Sequence, residues 1–399
     1  MISVCIYFQV HQPMRLDQGY SFFDMGRRHH YRDEQANADI LRKVAHKCYL
    51  PANRLMLDLI REFQGDFRIS YSITGVALEQ FQEFCPEVLE TFRELADTGC
   101  VEFIAETYYH SLSFLFSKEE FRRQVNKHHR VMTEFFGREP TAFRNTELIY
   151  NNELAQEVER MGYKVILAEG ADQVLGWRTP NFVYQPAGCE KLKALLKNYR
   201  LSDDVAFRFS DRNWDEWPLS VEKYARWVHD VAGNGEVINL FMDYETIGEH
   251  QWEDTGIFNF FRAMPRAVLA HRDFGFRTPS EAAADLDPIA QLDVPHFTSW
   301  ADLERDVTAW LGNPMQDQAA ELAYNLEKAV MASGDDDLEA TWREMLTSDH
   351  FYYMCTKWFS DGDVHKYFNP FETPYQAFIS YMNALNDFAL VLDQRQKSK

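Results

Sequence analysis

Over roughly its first 280 residues the chain alternates short apolar runs with longer amphipathic stretches, and this limits the fold to parallel strands joined by crossover helices. The strand-like runs fall at 3–10, 67–72, 101–105, 142–144, 165–168, 237–242 and 274–277. Between them lie helical segments such as PANRLMLDLIREFQ and SKEEFRRQVNKHHRVMTEFFG. The second opens on Ser117 three residues before Glu120, the spacing of a capping box. The result is an α/β fold, either a barrel or a doubly wound sheet. After TPSEAAADL strand signals stop and amphipathic helices follow, as in MQDQAAELAYNLEKAVMAS and PYQAFISYMNALNDFALVL. We expect two parts, 1–285 and a helical bundle over 286–399.

Polar residues cluster where these strands end. The first runs into His11-Gln12-Pro13, the third reaches Glu106 with His110 beyond, the fourth runs into Arg144-Asn145-Thr146-Glu147, and a late one ends at Asp243 and Glu245. One polar residue at a strand end is ordinary turn chemistry. Four strand ends of one parallel barrel share a face, so residues far apart in sequence converge into one acidic crater.

Paired carboxylates of unequal pKa suit glycoside hydrolysis, in which one attacks the anomeric carbon and the other protonates the leaving oxygen. Glu147 near Arg144 is expected to be ionised. Asp243, with Glu245 two residues on and partial burial, is expected to hold a proton. If the substitution is a double displacement, the two should lie about 5 Å apart.

The net charge of −21 argues against nucleic acid or an anionic membrane as partner and sits easily with a neutral substrate. Aromatics at 15% exceed ordinary core needs, so some are expected to line a cleft. MISVCIYFQVHQPMRL lacks a basic n-region and a small-residue cleavage site and reads as a first strand. Six scattered cysteines without a CxxC pair read as free thiols, and a cytoplasmic location is expected.

The segments FQVHQP, VEFIAETYYH, AFRNTELIYNNELA, LFMDYETIGEH and TPSE to SWADLERDVTAWLGN occur in an order and spacing that resemble the α-amylase-type members of glycoside hydrolase family 57. The resemblance implies an incomplete TIM-like (β/α)7 barrel followed by a helical domain that completes the cleft. It also implies a retaining enzyme on α-1,4-glucans, with no cofactor and no required metal. On these motifs the nucleophile is Glu147 and the acid/base Asp243. His11, Glu106 and Glu245 are implied to line the subsite around the cleaved bond, and Trp300 and Trp310 to stack on sugars. Ile247 stands where an aromatic is common in the family.

His110 reads as a substrate contact, a structural residue or a metal ligand. His128-His129 are expected on a solvated helix face, and His29-His30 in a long loop after the first strand. Asp203, Asp204, Trp214 and Trp217 suit either sugar binding or a packed loop. Asp349, His350 and Trp358 read more readily as helical core than as cleft, and Asp361-Gly362-Asp363 lacks the later ligands of a calcium loop. The alternatives to hydrolysis are 4-α-glucanotransfer through the same residues, a metal-dependent carbohydrate deacetylase, and a noncatalytic glucan-binding protein.

Overall fold

The structure is a computed structural model that describes residues 1–357 and 369–397; Trp358 and Asp361-Gly362-Asp363 lie outside the described residues. Its strands are β1 (Ile2–Val10), β2 (Ile69–Ile73), β3 (Val101–Phe103), β4 (Ala142–Arg144), β5 (Val165–Glu169), β6 (Tyr184–Pro186), β7 (Lys193–Lys197), β8 (Val237–Asp243), β9 (Phe274–Phe276) and β10 (Ala290–Leu292). Seven of them form the barrel. β1 pairs in parallel with β2 and β8, β2 with β3, β4 with β5, β5 with β7, and β7 with β8. A single bridge, Ala105 to Phe143, joins the β3 and β4 segments. The seam between β7 and β8 is also one pair wide, Lys197 opposite Asn239.

Two-residue periodicity sorts the strand side chains. Cys5, Tyr7, Ala142, Val165, Leu167, Leu195, Val237 and Phe241 form one cluster inside the barrel. Their neighbours Val4, Ile6, Phe8, Ile238, Leu240 and Met242 pack outward against helices such as Leu50–Glu62 and Ile257–Leu269. Extending the inward register to each C-terminal strand end gives Gln9, Ser72, Glu106, Arg144, Glu169, Lys197 and Asp243. One face of the barrel therefore carries a ring of polar groups. The opposite end is closed by the helix Pro279–Asp285, whose Ala282 and Ala283 enter the interior cluster. The TPSE segment is the capping box of that helix, with Thr278 and Glu281 bonded reciprocally, and it lies away from the crater.

Two strand expectations need correction. The run at 274–277 is not a stave of the barrel: β9 pairs with β1 over Ile2–Val4, at the end of β1 opposite the pairing with β2. The missing stave is β7, whose apolar middle, Ala194-Leu195-Leu196, is too short between two lysines to register as a buried strand. Strand pairing also continues past 286, because β10 pairs in parallel with β6.

The later helices, Pro314–Asn325, Glu327–Ser333, Asp336–Met345, Ser348–Tyr352 and Pro374–Lys397, enclose a second core around Trp310, Trp342, Tyr381 and Leu385. Leu16, Tyr20 and Tyr31, from the loop after β1, belong to it. That loop is tied down by buried Asp387, which accepts from the Gly26 N–H and the Tyr31 hydroxyl and lies 2.8 Å from His29 Nδ1. No helix among the described residues is long and apolar enough to cross a membrane. All six cysteines are free and buried.

Candidate active site

Glu147 follows β4 in a short 3₁₀ turn and has φ 58°, ψ 25°. This left-handed backbone is costly for a residue with a Cβ, and here it swings the carboxylate into the mouth of the barrel. Both of its oxygens are occupied. His110 Nε2 lies 2.9 Å from Oε1, and the Trp300 indole N–H donates to Oε2 at 2.7 Å. His110, also at positive φ, turns its other ring nitrogen to Glu106 at 3.1 Å. Glu106 is fully buried, accepts from Gln9 Nε2 at 3.1 Å and lies 3.6 Å from Arg144 Nη1.

The charges follow from these contacts. Burial disfavours a charge on His110, but its bonds to Glu106 and Glu147 outweigh burial and raise its pKa to about 9. Burial likewise works against ionisation of Glu147. The His110 hydrogen bond and charge, then Arg144, reverse that and leave the carboxyl below its ordinary value. Arg144 was the expected partner of Glu147, and His110 is the stronger one. Glu106 is held at about 2 against burial by His110 and Arg144.

Asp243 ends β8 and sits in register with Gln9. Its pKa is pushed up to about 6, first by burial and then by the negative charge of Glu147, against Arg144, Lys197 and His110. The expected source of repulsion was Glu245. Glu245 turns away to accept from the buried Tyr49 hydroxyl, and it too is raised, to about 8, by burial and then by Asp243.

His11 stacks on His110 with ring centroids 4.0 Å apart. Its Nδ1 lies 2.9 Å from Thr74 Oγ1 and its Nε2 2.9 Å from Asp349 Oδ2. Asp349, expected in the helical core, thus reaches the crater from the helix Ser348–Tyr352. One ligand atom each of His11, His110 and Asp349 lie within 4.8 Å of one another. With both ring nitrogens donating to carboxylates, His110 has no lone pair left for a metal.

Trp310 is corrected outright. It is 1% exposed inside the helical core and cannot stack on a sugar. Trp300 does reach the site, but its indole edge is spent on Glu147. His128 is also buried instead of solvated: its Nδ1 accepts the Glu106 N–H at 3.3 Å and its Nε2 lies 2.8 Å from the Ile73 carbonyl. Sequence reasoning missed Tyr49, Gln9, Lys197 and Arg305. Of these, only Gln9 was open to discovery, by continuing the inward two-residue register of β1 to its end, because the strand that carries Lys197 was not legible.

A parallel barrel whose mouth sets one ionised carboxylate against one that retains its proton to higher pH is the equipment of a glycoside-cleaving enzyme. The chain belongs to glycosyl hydrolase family 57, whose profile matches residues 5–295. It is 45% identical over 393 residues to the Methanocaldococcus jannaschii protein named "Putative alpha-amylase", covering 96% of this chain and 83% of that one. Two solved structures share the fold at 14% identity. The branching enzyme of Pyrococcus horikoshii superposes with a TM-score of 0.71 over 100% of this chain and 91% of its own. The 4-alpha-glucanotransferase of Thermococcus litoralis gives 0.60 over 96% of this chain, which spans only 59% of that protein.

Proposed function

We propose that the protein cleaves α-1,4-glucans with retention of configuration, Glu147 acting as nucleophile and Asp243 as acid/base. The observation that carries this is the opposed tuning of the two carboxyls: Glu147 is held ionised by its hydrogen bond and charge contact with His110 and then by Arg144, and its charge helps keep a proton on Asp243. The 45% identical relative that bears an alpha-amylase name supports an α-glucan as substrate.

In the first step Asp243 gives its proton to the glycosidic oxygen while the Glu147 carboxylate attacks C1. The C1–O bond breaks and a glycosyl ester forms on Glu147. Esterification removes the Glu147 charge, which adds to burial in raising Asp243, so the pKa of Asp243 falls and it becomes a base suited to the second step. Water, deprotonated by Asp243, then attacks C1 and releases Glu147. A sugar hydroxyl in place of water gives transfer through the same ester.

A product time course on maltooligosaccharides tests the reading. Shorter chains alone support hydrolysis, and products longer than the starting sugar assign transfer. Glu147→Gln is expected to lose several orders of magnitude in kcat, about 10⁴-fold or more. Unchanged turnover in that variant would overturn the assignment.

A further inference from the structure

Beside the crater lies a second, almost wholly buried set of charges that the reaction does not use directly. Glu169 ends β5, Lys197 ends β7, and Asp203 sits in the helix Tyr199–Ala206; all three are buried. Lys197 Nζ lies 2.8 Å from Asp203 Oδ1 and 3.8 Å from Glu169 Oε2. Gly170 lets these two strand ends approach, since a Cβ there would sit 2.3 Å from the Lys197 carbonyl oxygen. The second cation comes from far along the chain. Arg305 places Nη1 3.5 Å from Glu169 Oε2 and Nη2 3.4 Å from Asp203 Oδ2, so two cations face two carboxylates.

Arg305 also reaches the catalytic loop. Its Nη1 donates to the carbonyl of Trp300. Its own carbonyl accepts the Ser299 N–H at 3.0 Å, which closes the loop on itself. Asp302 and Arg305 both have left-handed backbones, a conformation that persists only where surrounding contacts enforce it. The loop backbone is joined to the nucleophile as well, since the Trp300 N–H donates to the Glu147 carbonyl at 3.2 Å. The Trp300 ring lies near Arg144 and Lys197, each 5.3 Å from the centroid, while its indole N–H meets Glu147 Oε2. A continuous set of contacts thus runs from two strand ends through Arg305 and Trp300 to the nucleophile.

We propose that Arg305, anchored by Glu169 and Asp203, is a positioning residue that holds Trp300 against Glu147. This rests on the reading of Glu147 as nucleophile. The consequence is specific to one atom. An N–H donor stabilises the ionised carboxylate, so releasing Trp300 raises the pKa of Glu147. It also frees the carboxylate to rotate away from the line of attack, and a misplacement of about 1 Å is worth about 100-fold in rate.

The experiment compares full-length wild type, Arg305→Gln, Arg305→Lys, Trp300→Phe and the double variant Arg305→Gln/Trp300→Phe on an aryl maltooligoside across pH. Arg305→Gln is expected to lower kcat about tenfold to a hundredfold and to move the acid limb of kcat/KM to higher pH. Trp300→Phe should do the same. The double variant should be no worse than Trp300→Phe alone, and Arg305→Lys should recover part of the loss. Lys197 still partners Glu169 and Asp203 in Arg305→Gln. Should that variant nevertheless fail to fold, Asp203→Asn, which keeps the shape of the anchor, must shift the limb in the same direction. An acid limb unmoved in Arg305→Gln, or losses that multiply in the double variant, overturns the proposal. Glu147→Gln run in parallel separates the two readings. Retained activity there sinks the nucleophile, whereas an inactive Glu147→Gln beside an unmoved Arg305→Gln sinks only the positioning role.

Discussion

Glu147 and Asp243 owe their difference to their neighbours, and pH should expose it. The proposed mechanism needs Glu147 ionised and Asp243 protonated in the free enzyme, so kcat/KM is expected to fall on the alkaline side around pH 6, where Asp243 loses its proton. The acid limb should lie below the ordinary glutamate range. Asp243→Asn should abolish cleavage of glucans with poor leaving groups while sparing formation of the ester from activated aryl glycosides. Equal losses on both substrates would remove Asp243 from the acid's role. Glu245 gives a separate test in stability. Its folded pKa of about 8 exceeds the ordinary 4.5, so the native state binds the proton more tightly and stability declines as pH rises from 4.5 to 8. Glu245→Gln keeps an acceptor for Tyr49. It should therefore raise Tm relative to wild type at pH 8 and leave Tm nearly unchanged at pH 4. At this scale the two carboxylates were legible because their motif and strand-end positions stand out. Their partners were not: His11 meets Asp349 across 338 positions, and no local pattern records such a contact.

Among the elements, the barrel is weakest where strands share one pair, and side chains compensate there. Asn239 Nδ2 donates to the Leu196 carbonyl at 2.9 Å, and the Asn239 backbone carbonyl accepts the Asn198 N–H at 2.8 Å, bridging β7 and β8. Asn239→Ala removes the side-chain link inside the barrel and should cost about 1–3 kcal/mol in urea unfolding. A cost within error would mean that the seam is held by packing alone. Six of the seven staves were readable from apolar runs and their alternation. β7 was not, because Lys193 and Lys197 belong to ion pairs and carbonyl contacts that exist only after the strands assemble. The helix Lys118–Phe136 shows the opposite limit. Its start at Ser117 was readable, and Ser117 does cap the Glu120 N–H, yet the Glu120 side chain bonds Arg343 and Arg123 instead of closing the box. Periodicity locates an element; it does not say which distant cation will claim its carboxylate.

For the whole molecule, the barrel and the helices after it meet through buried charge. Glu120 is fully buried between Arg123 and Arg343, Arg32 pairs with Glu344, and the His110 carbonyl accepts the Ser348 N–H at 2.9 Å. We expect a single calorimetric unfolding transition. Arg343→Met should lower stability by about 3 kcal/mol, because Glu120 loses one of its two cationic partners while remaining buried. Two separate transitions in wild type would show that the contacts do not couple the parts. The shift from strands to helices was visible in composition, but the return of the later chain to the crater was not. Trp300, Arg305 and Asp349 all follow the last stave yet touch its mouth. A fragment broken off before residue 300 would keep both carboxylates but lack the indole against one and the acid behind His11. Damage to the second half of the chain should therefore leave inert pieces, and competence should arrive only when the final third of the polypeptide has emerged and docked.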